Sequence, residues 1–150
     1  MRIIVAYDGS EGAKGALEEV RRRPWPADTE VRLVAVVEPS LPYMPMEGIA
    51  EYGPVIEGLQ ASLRETMKQT ILTGVAALQG RKDLKVTWEL REPGVKRALL
   101  DAIKEFKADL VVVGSQGTTA LGRLFLGSVC HALVTHAPCN VEIVRVPAAA

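Results

Sequence analysis

The residues that invite chemistry lie in one stretch, GSQGTTALGRLFLGS at positions 114 to 128, directly after the apolar run ADLVVV. Gly114 and Gly117 let a backbone turn sharply and come close to a bound group with no Cβ in the way. After nine intervening residues, Gly127 and Ser128 open a segment of helical character. A helix N-terminus presents unbonded N–H groups and a partial positive charge to an anion. Between the two glycine pairs, Thr118 and Thr119 add hydroxyl donors and Arg123 adds a fixed charge. These are the parts of a phosphate cradle. They are equally the parts of a tight turn and a helix cap, and local spacing does not separate the two.

Two better-known phosphate patterns do not fit. A G-x-G-x-x-G fingerprint is absent, because Ser115 and Gln116 separate Gly114 from Gly117. The run GTTALGRL approaches a P-loop, but Arg123 stands where the lysine belongs and Leu124 where the Mg²⁺-ligating hydroxyl belongs. Asp8 is a second chemistry-bearing residue, in the turn and cap signature Asp8-Gly9-Ser10 after the apolar run RIIVAY. It has no acidic neighbour of the kind a phosphoaspartate switch needs. His131 and His136 lie near Cys130 and Cys139, but the five-residue spacing of the histidines misses the i, i+4 step that puts two ligands on one helix face. The cysteines form no CxxC. Reduced thiols, packing residues and solvent-facing imidazoles are the expectation there.

The elements that must position these residues follow from hydrophobic period. RIIVAY reads as strand one; in EGAKGALEEVRRR, Ala13, Ala16, Leu17 and Val20 recur at helical spacing. Arg21, Arg22 and Arg23 read as a solvated helix end stopped by Pro24 and Pro26. VRLVAVV is strand two. Residues 39 to 56, with Pro39, Pro42, Pro45, Pro54, Gly48 and Gly53, read as a long irregular loop, either a mobile flap that closes on a ligand or a neighbouring subunit or a loop packed on the surface. A helical stripe of Leu59, Leu63, Met67, Ile71, Val75 and Leu78 runs from Glu57 to Gln79. In LKVTWELR, Leu84, Val86, Trp88 and Leu90 alternate with polar residues, the pattern of a peripheral strand. A helix over 94 to 107, an apolar strand at 109 to 113, a helix from near Gly127 and a last strand VEIVRV complete the chain.

This alternation argues for a single α/β domain over residues 1 to 150, doubly wound about a mainly parallel sheet. Ligands of such sheets bind beyond the carboxyl ends of the strands at a topological switch point, where both Asp8 and the glycine stretch fall. Zero net charge and 24% charged residues give no electrostatic footprint for nucleic acid. No apolar run approaches the roughly 18 residues of a membrane span, and the N-terminus lacks a signal-peptide pattern, so a cytoplasmic location without membrane contact is expected.

Taken together, RIIVAYDGS, VAVVEP, ADLVVVGSQG and LFLGSVCHALVTHAPCNV make the chain resemble the universal stress protein family in its ATP-binding branch, with Gly114-x-x-Gly117, nine residues, then Gly127-Ser128 as the nucleotide motif. The resemblance implies a Rossmann-like fold of the adenine nucleotide alpha hydrolase type: five parallel strands in the order 3-2-1-4-5 with helices on both faces. It implies ATP with Mg²⁺ as ligand, bound by Ala6, Tyr7, Asp8, Val36, Val113, Gly114, Ser115, Gly117, Arg123, Gly127, Ser128 and Val129, with Asp8 on the metal or sugar side. It implies a homodimer joined through the last strand and a regulatory module with at most slow ATP hydrolysis or autophosphorylation. An ATP-dependent phosphotransferase or nucleotidyl transferase of the same fold class is the alternative. Two departures stand out: Ala6 occupies a position where other members can carry proline, and Glu142 places a carboxylate in the strand expected at the interface.

Overall fold

The computed structural model describes residues 1–39, 49–116 and 126–147. The elements alternate as β1 (Arg2–Ala6), α1 (Glu11–Arg22), β2 (Thr29–Val36), α2 (Ile49–Ala77), β3 (Leu84–Arg91), α3 (Val95–Phe106), β4 (Leu110–Gly114), α4 (Ser128–His136) and β5 (Asn140–Val144). The strands form a five-stranded parallel sheet in the order β3-β2-β1-β4-β5. The alternating third strand is at one edge, as its polar face requires. β1, apolar from Ile3 on, and the all-apolar β4 sit at the centre, paired Ile3 to Leu110 and Val5 to Val112.

Alternation along each strand divides the core into two layers. Ile3, Val5, Val31, Leu33 and Val112 face α1 and α2, meeting Ala13, Leu17, Val20, Ile71 and Leu78. Ile4, Val34, Val111 and Val113 face α3 and α4, meeting Leu99, Ala102, Ile103, Phe106 and Leu133. Trp88, expected inward with Leu84, Val86 and Leu90, is instead 37% exposed, because β3 is the outermost strand and has a neighbour on one side only.

Helix α1 starts where Ser10 accepts a hydrogen bond from the Ala13 N–H at 3.2 Å. Its far end differs from the solvated triplet expected. Arg21 and Arg22 do pair with Glu18 and Glu19 on the surface, but the Arg23 guanidinium reaches across to both carboxylate oxygens of Glu142 at 2.8 and 2.6 Å. Glu142 is thus the anchor of an interstrand-to-helix ion pair. Arg81 closes the same end by donating to the carbonyls of Arg21 and Arg23, and its own position is fixed by Asp83 at 2.6 Å.

Helix α2 corrects the expected 39–56 loop. It begins at Ile49, eight residues before Glu57, and carries Pro54 inside it. The proline removes a single N–H whose acceptor would lie in the first turn, so it weakens a helix end without ending the helix. Residues 40–48, the rest of the expected flap, lie outside the described residues. The early turns of α2 run beyond the sheet, leaving Tyr52, Val55 and Leu59 exposed.

Candidate functional site

At the carboxyl end of the sheet the chain leaves β1 toward α1 on one face and β4 toward α4 on the other. β2 and β3 lie to one side of β1, while β4 and β5 lie to the other. The gap between β1 and β4 is therefore the topological switch point of the fold. The structure brings Asp8, Gly114, Ser115, Gly127 and Ser128 to this end from opposite halves of the sequence.

Each is held by backbone bonds. After β1, Gly9 takes a positive φ of 78°, and Asp8 folds back so that its Oδ1 accepts from the Ser10 N–H at 2.9 Å. After β4, the Ser115 N–H donates to the Val144 carbonyl at 2.8 Å, tying the exit to β5. The Gly127 N–H donates to the Ser115 carbonyl at 3.0 Å, drawing the start of α4 against it. Beneath them the Cys130 thiol donates to the Gly114 carbonyl at 3.0 Å. Burial pushes that thiol's pKa up, which keeps the proton the bond requires.

Gly127 is the N-cap of α4, in extended backbone, and as a glycine it has no side chain to cap the helix. The N–H groups of the first turn, at Ser128 and Val129, have no acceptor within the helix. No acidic residue stands in that turn, and Ser128 is exposed. The arrangement offers donors and half a positive charge to an anion, with the Asp8 carboxylate across the gap.

The other expected site residues fall as follows. Ala6 and Val36 are half-buried and pack on the α3–α4 layer, as does Val129. The Val113 side chain is buried in that layer. The Tyr7 ring turns into the opposite layer, against Gly74, where an added Cβ would come within 2.9 Å of it. Its N–H is taken by the Val34 carbonyl at 2.9 Å. Gly117 and Arg123 lie outside the described residues, with Thr118 and Thr119.

Sequence reasoning missed two contributors. Gly12 packs its backbone directly on Gly114 and Gln116; the three-residue spacing of Gly9, Gly12 and Gly15 was its only signal. Glu38, just past β2, accepts the Val95 N–H at 2.7 Å and so caps α3 from another element. No group of three metal-ligating side chains occurs among the described residues. A single carboxylate is nonetheless what Mg²⁺ commonly takes from a protein when phosphates complete its shell. Asp8 fits that part. Cys130 and Cys139 are free thiols, and His131 and His136 are exposed. Among the described residues, a surface groove of about 660 Å³ between α3 and α4 reaches the site at Ser128, and another of about 810 Å³ among α2, β3 and α3 is lined by none of the expected site residues.

Residues 1–145 match the model of the universal stress protein family. The chain belongs to that family. A universal stress protein of Thermus aquaticus is 32% identical to it over 148 residues, covering 95% of this chain and 97% of the relative. A second, from Methanocaldococcus jannaschii, is 27% identical, covering 97% of this chain and 82% of the relative. Among solved structures, hypothetical protein MJ0577 superposes with a TM-score of 0.82 at 22% identity, over 99% of this chain and 97% of its own. The Archaeoglobus fulgidus universal stress protein in complex with dAMP gives 0.59 at 21% identity, over 96% and 97%. These likenesses carry the five-stranded 3-2-1-4-5 universal stress protein fold. No helix among the described residues is long and apolar enough to cross a membrane.

Proposed function

We propose that this universal stress protein binds ATP with Mg²⁺ at the β1–β4 switch point and serves the stress response as a cytoplasmic regulatory module, not as an enzyme. The observation that carries the reading is the acid-free N-terminus of α4, opened by a glycine with no capping side chain of its own and held by the Gly127–Ser115 bond within the same sheet end as Asp8. Family structures determined with dAMP, AMP and cAMP support an adenine nucleotide as the ligand class. Ala6 and Val36 would offer apolar surface and backbone groups to adenine, the Gly114–Ser115 exit and the α4 start would take ribose and phosphates, and Asp8 would hold the metal. Gly117 and Arg123 complete the expected set.

Charge decides the need for metal. ATP brings roughly four negative charges, whereas a helix N-terminus supplies about half a positive one. Mg²⁺ supplies the balance. Titration calorimetry on the purified protein tests the reading: affinity for ATP should fall when EDTA replaces Mg²⁺. Absence of adenine-nucleotide binding would refute it. Single-turnover incubation with labelled ATP and an added acceptor separates module from transferase, since the module retains intact ATP and the transferase forms product rapidly.

The same reading includes a homodimer. Asn140 and Val144 direct their backbone bonds to the β4 side, so the alternate positions Val141 and Ile143 turn theirs to the open edge, available to a second copy.

A further inference from the structure

We propose that Gly12 is a positioning residue for the nucleotide site, a role that rests on the ATP-binding reading but concerns a residue that touches no ligand. A Cβ built on Gly12 would lie 2.3 Å from the Gln116 carbonyl oxygen and 3.5 Å from the Gly114 Cα. From the other side, a Cβ on Gly114 would lie 2.3 Å from the Gly12 carbonyl carbon and 2.5 Å from its oxygen. Two backbones therefore meet with no side chain between them. The first turn of α1, which begins three residues after Asp8, rests directly on the segment that leaves β4.

Among the described residues, that segment ties several parts of the site together. Residues 114 and 115 are bonded to β5 through Val144, to the α4 cap through Gly127 and to the α4 first turn through Cys130. The glycine contact adds α1, and with it the Asp8–Ser10 turn. A side chain at position 12 must push Gln116 outward or tilt α1. Either movement changes the distance between Asp8 and the open N-terminus of α4. Gly114 accordingly owes its lack of a side chain to Gly12, whereas at Gly127 a Cβ meets no described residue closer than the Ser115 oxygen at 3.4 Å.

Gly15 supplies the control. It lies one turn further along α1, and its added Cβ would meet the Val146 side chain at 2.4 Å. Val146 is 43% exposed beyond the last strand and can move aside. Gly12→Ala and Gly15→Ala thus bring the same gain in helix propensity, and only the first presses on the site.

The experiment is titration of wild type, Gly12→Ala and Gly15→Ala with Mg-ATP and, separately, with adenosine. Gly12→Ala should lower ATP affinity by about tenfold or more, the equivalent of one hydrogen bond to a charged phosphate. Its adenosine affinity should change far less, and Gly15→Ala should match wild type for both ligands. Amide resonances of Ser115, Gln116 and Gly127 should shift in ligand-free Gly12→Ala. If Gly12→Ala does not fold, Gly114→Ala loads the same contact from the other side and is scored in the same way. Unchanged ATP affinity, equal losses for ATP and adenosine, or failure of both variants to fold would overturn the positioning role. Failure of wild type to bind any adenine nucleotide would instead overturn the function proposed above.

Discussion

Substituting alanine at Gly114 and at Gly127 should separate a glycine that the fold needs from a glycine that the ligand needs. At Gly114 the new Cβ would sit 2.3 to 2.7 Å from three backbone atoms of Gly12. Carbon contacts are comfortable at about 3.5 Å or more, so the two backbones must part by roughly 1 Å. Overpacking of this kind costs about 1–3 kcal/mol. For a chain of this size that lowers the melting temperature by roughly 3–10 °C. At Gly127 the new Cβ would meet the Ser115 oxygen at 3.4 Å and the Gln116 Cα at 3.8 Å, both ordinary contacts, and its φ of −60° suits alanine. Alanine is a poorer N-cap than glycine, a loss of about 0.5–1 kcal/mol, but it removes a similar amount of unfolded-chain entropy. Stability should therefore stay within about 1 kcal/mol of wild type. The methyl group would stand at the mouth of the α4 donors, where Mg-ATP affinity should fall about tenfold, the equivalent of one lost hydrogen bond to charge. Gly127→Val should deepen that loss. Thermal denaturation without ligand and calorimetry with Mg-ATP read the two effects separately. An unchanged melting temperature in Gly114→Ala would refute the close approach, and full affinity in Gly127→Ala would refute the helix start as a ligand contact.

Ile143→Pro should weaken the homodimer in light scattering at micromolar concentration while leaving the β4–β5 ladder intact, because the lost N–H is the one directed to the open edge; a monomeric wild type would remove the basis for the dimer. Asp83→Asn should lower the melting temperature at neutral pH, since Asp83 orients the Arg81 guanidinium on the last carbonyls of α1. Hydrogen bonding to Arg81 holds the Asp83 carboxyl down at about 2, below its ordinary 3.8, so its contribution is present above about pH 4 and is lost as pH falls through 2. The difference between variant and wild type should close over that interval; a gap that persists at pH 2 would show that the pair does not act through its charge.

Much of this protein could be read from its order of residues, for reasons that are local. Strict alternation in LKVTWELR and the unbroken apolar runs of β1 and β4 distinguish an edge strand from central ones, because exposure of one sheet face leaves a period of two in the chain. Ser10 capping α1 and glycine and serine opening α4 are likewise short-range signals. What only the tertiary structure decided involves contacts between distant segments. The start of α2 at Ile49 is one, since Pro54 and Gly53 argue for a loop by propensity while the helix costs only one bond there. The destination of Arg23 is another, because its partner Glu142 lies 119 residues away. Tyr7 is one of the expected ligand residues, yet the alternation of side chains turns its ring into the other core layer. Gly12 and Gly114 are about a hundred residues apart, and in sequence Gly12 looks like an ordinary helix position while Gly114 reads as a ligand-facing glycine; only the packing of α1 on the β4 exit shows that each excludes a side chain from the other.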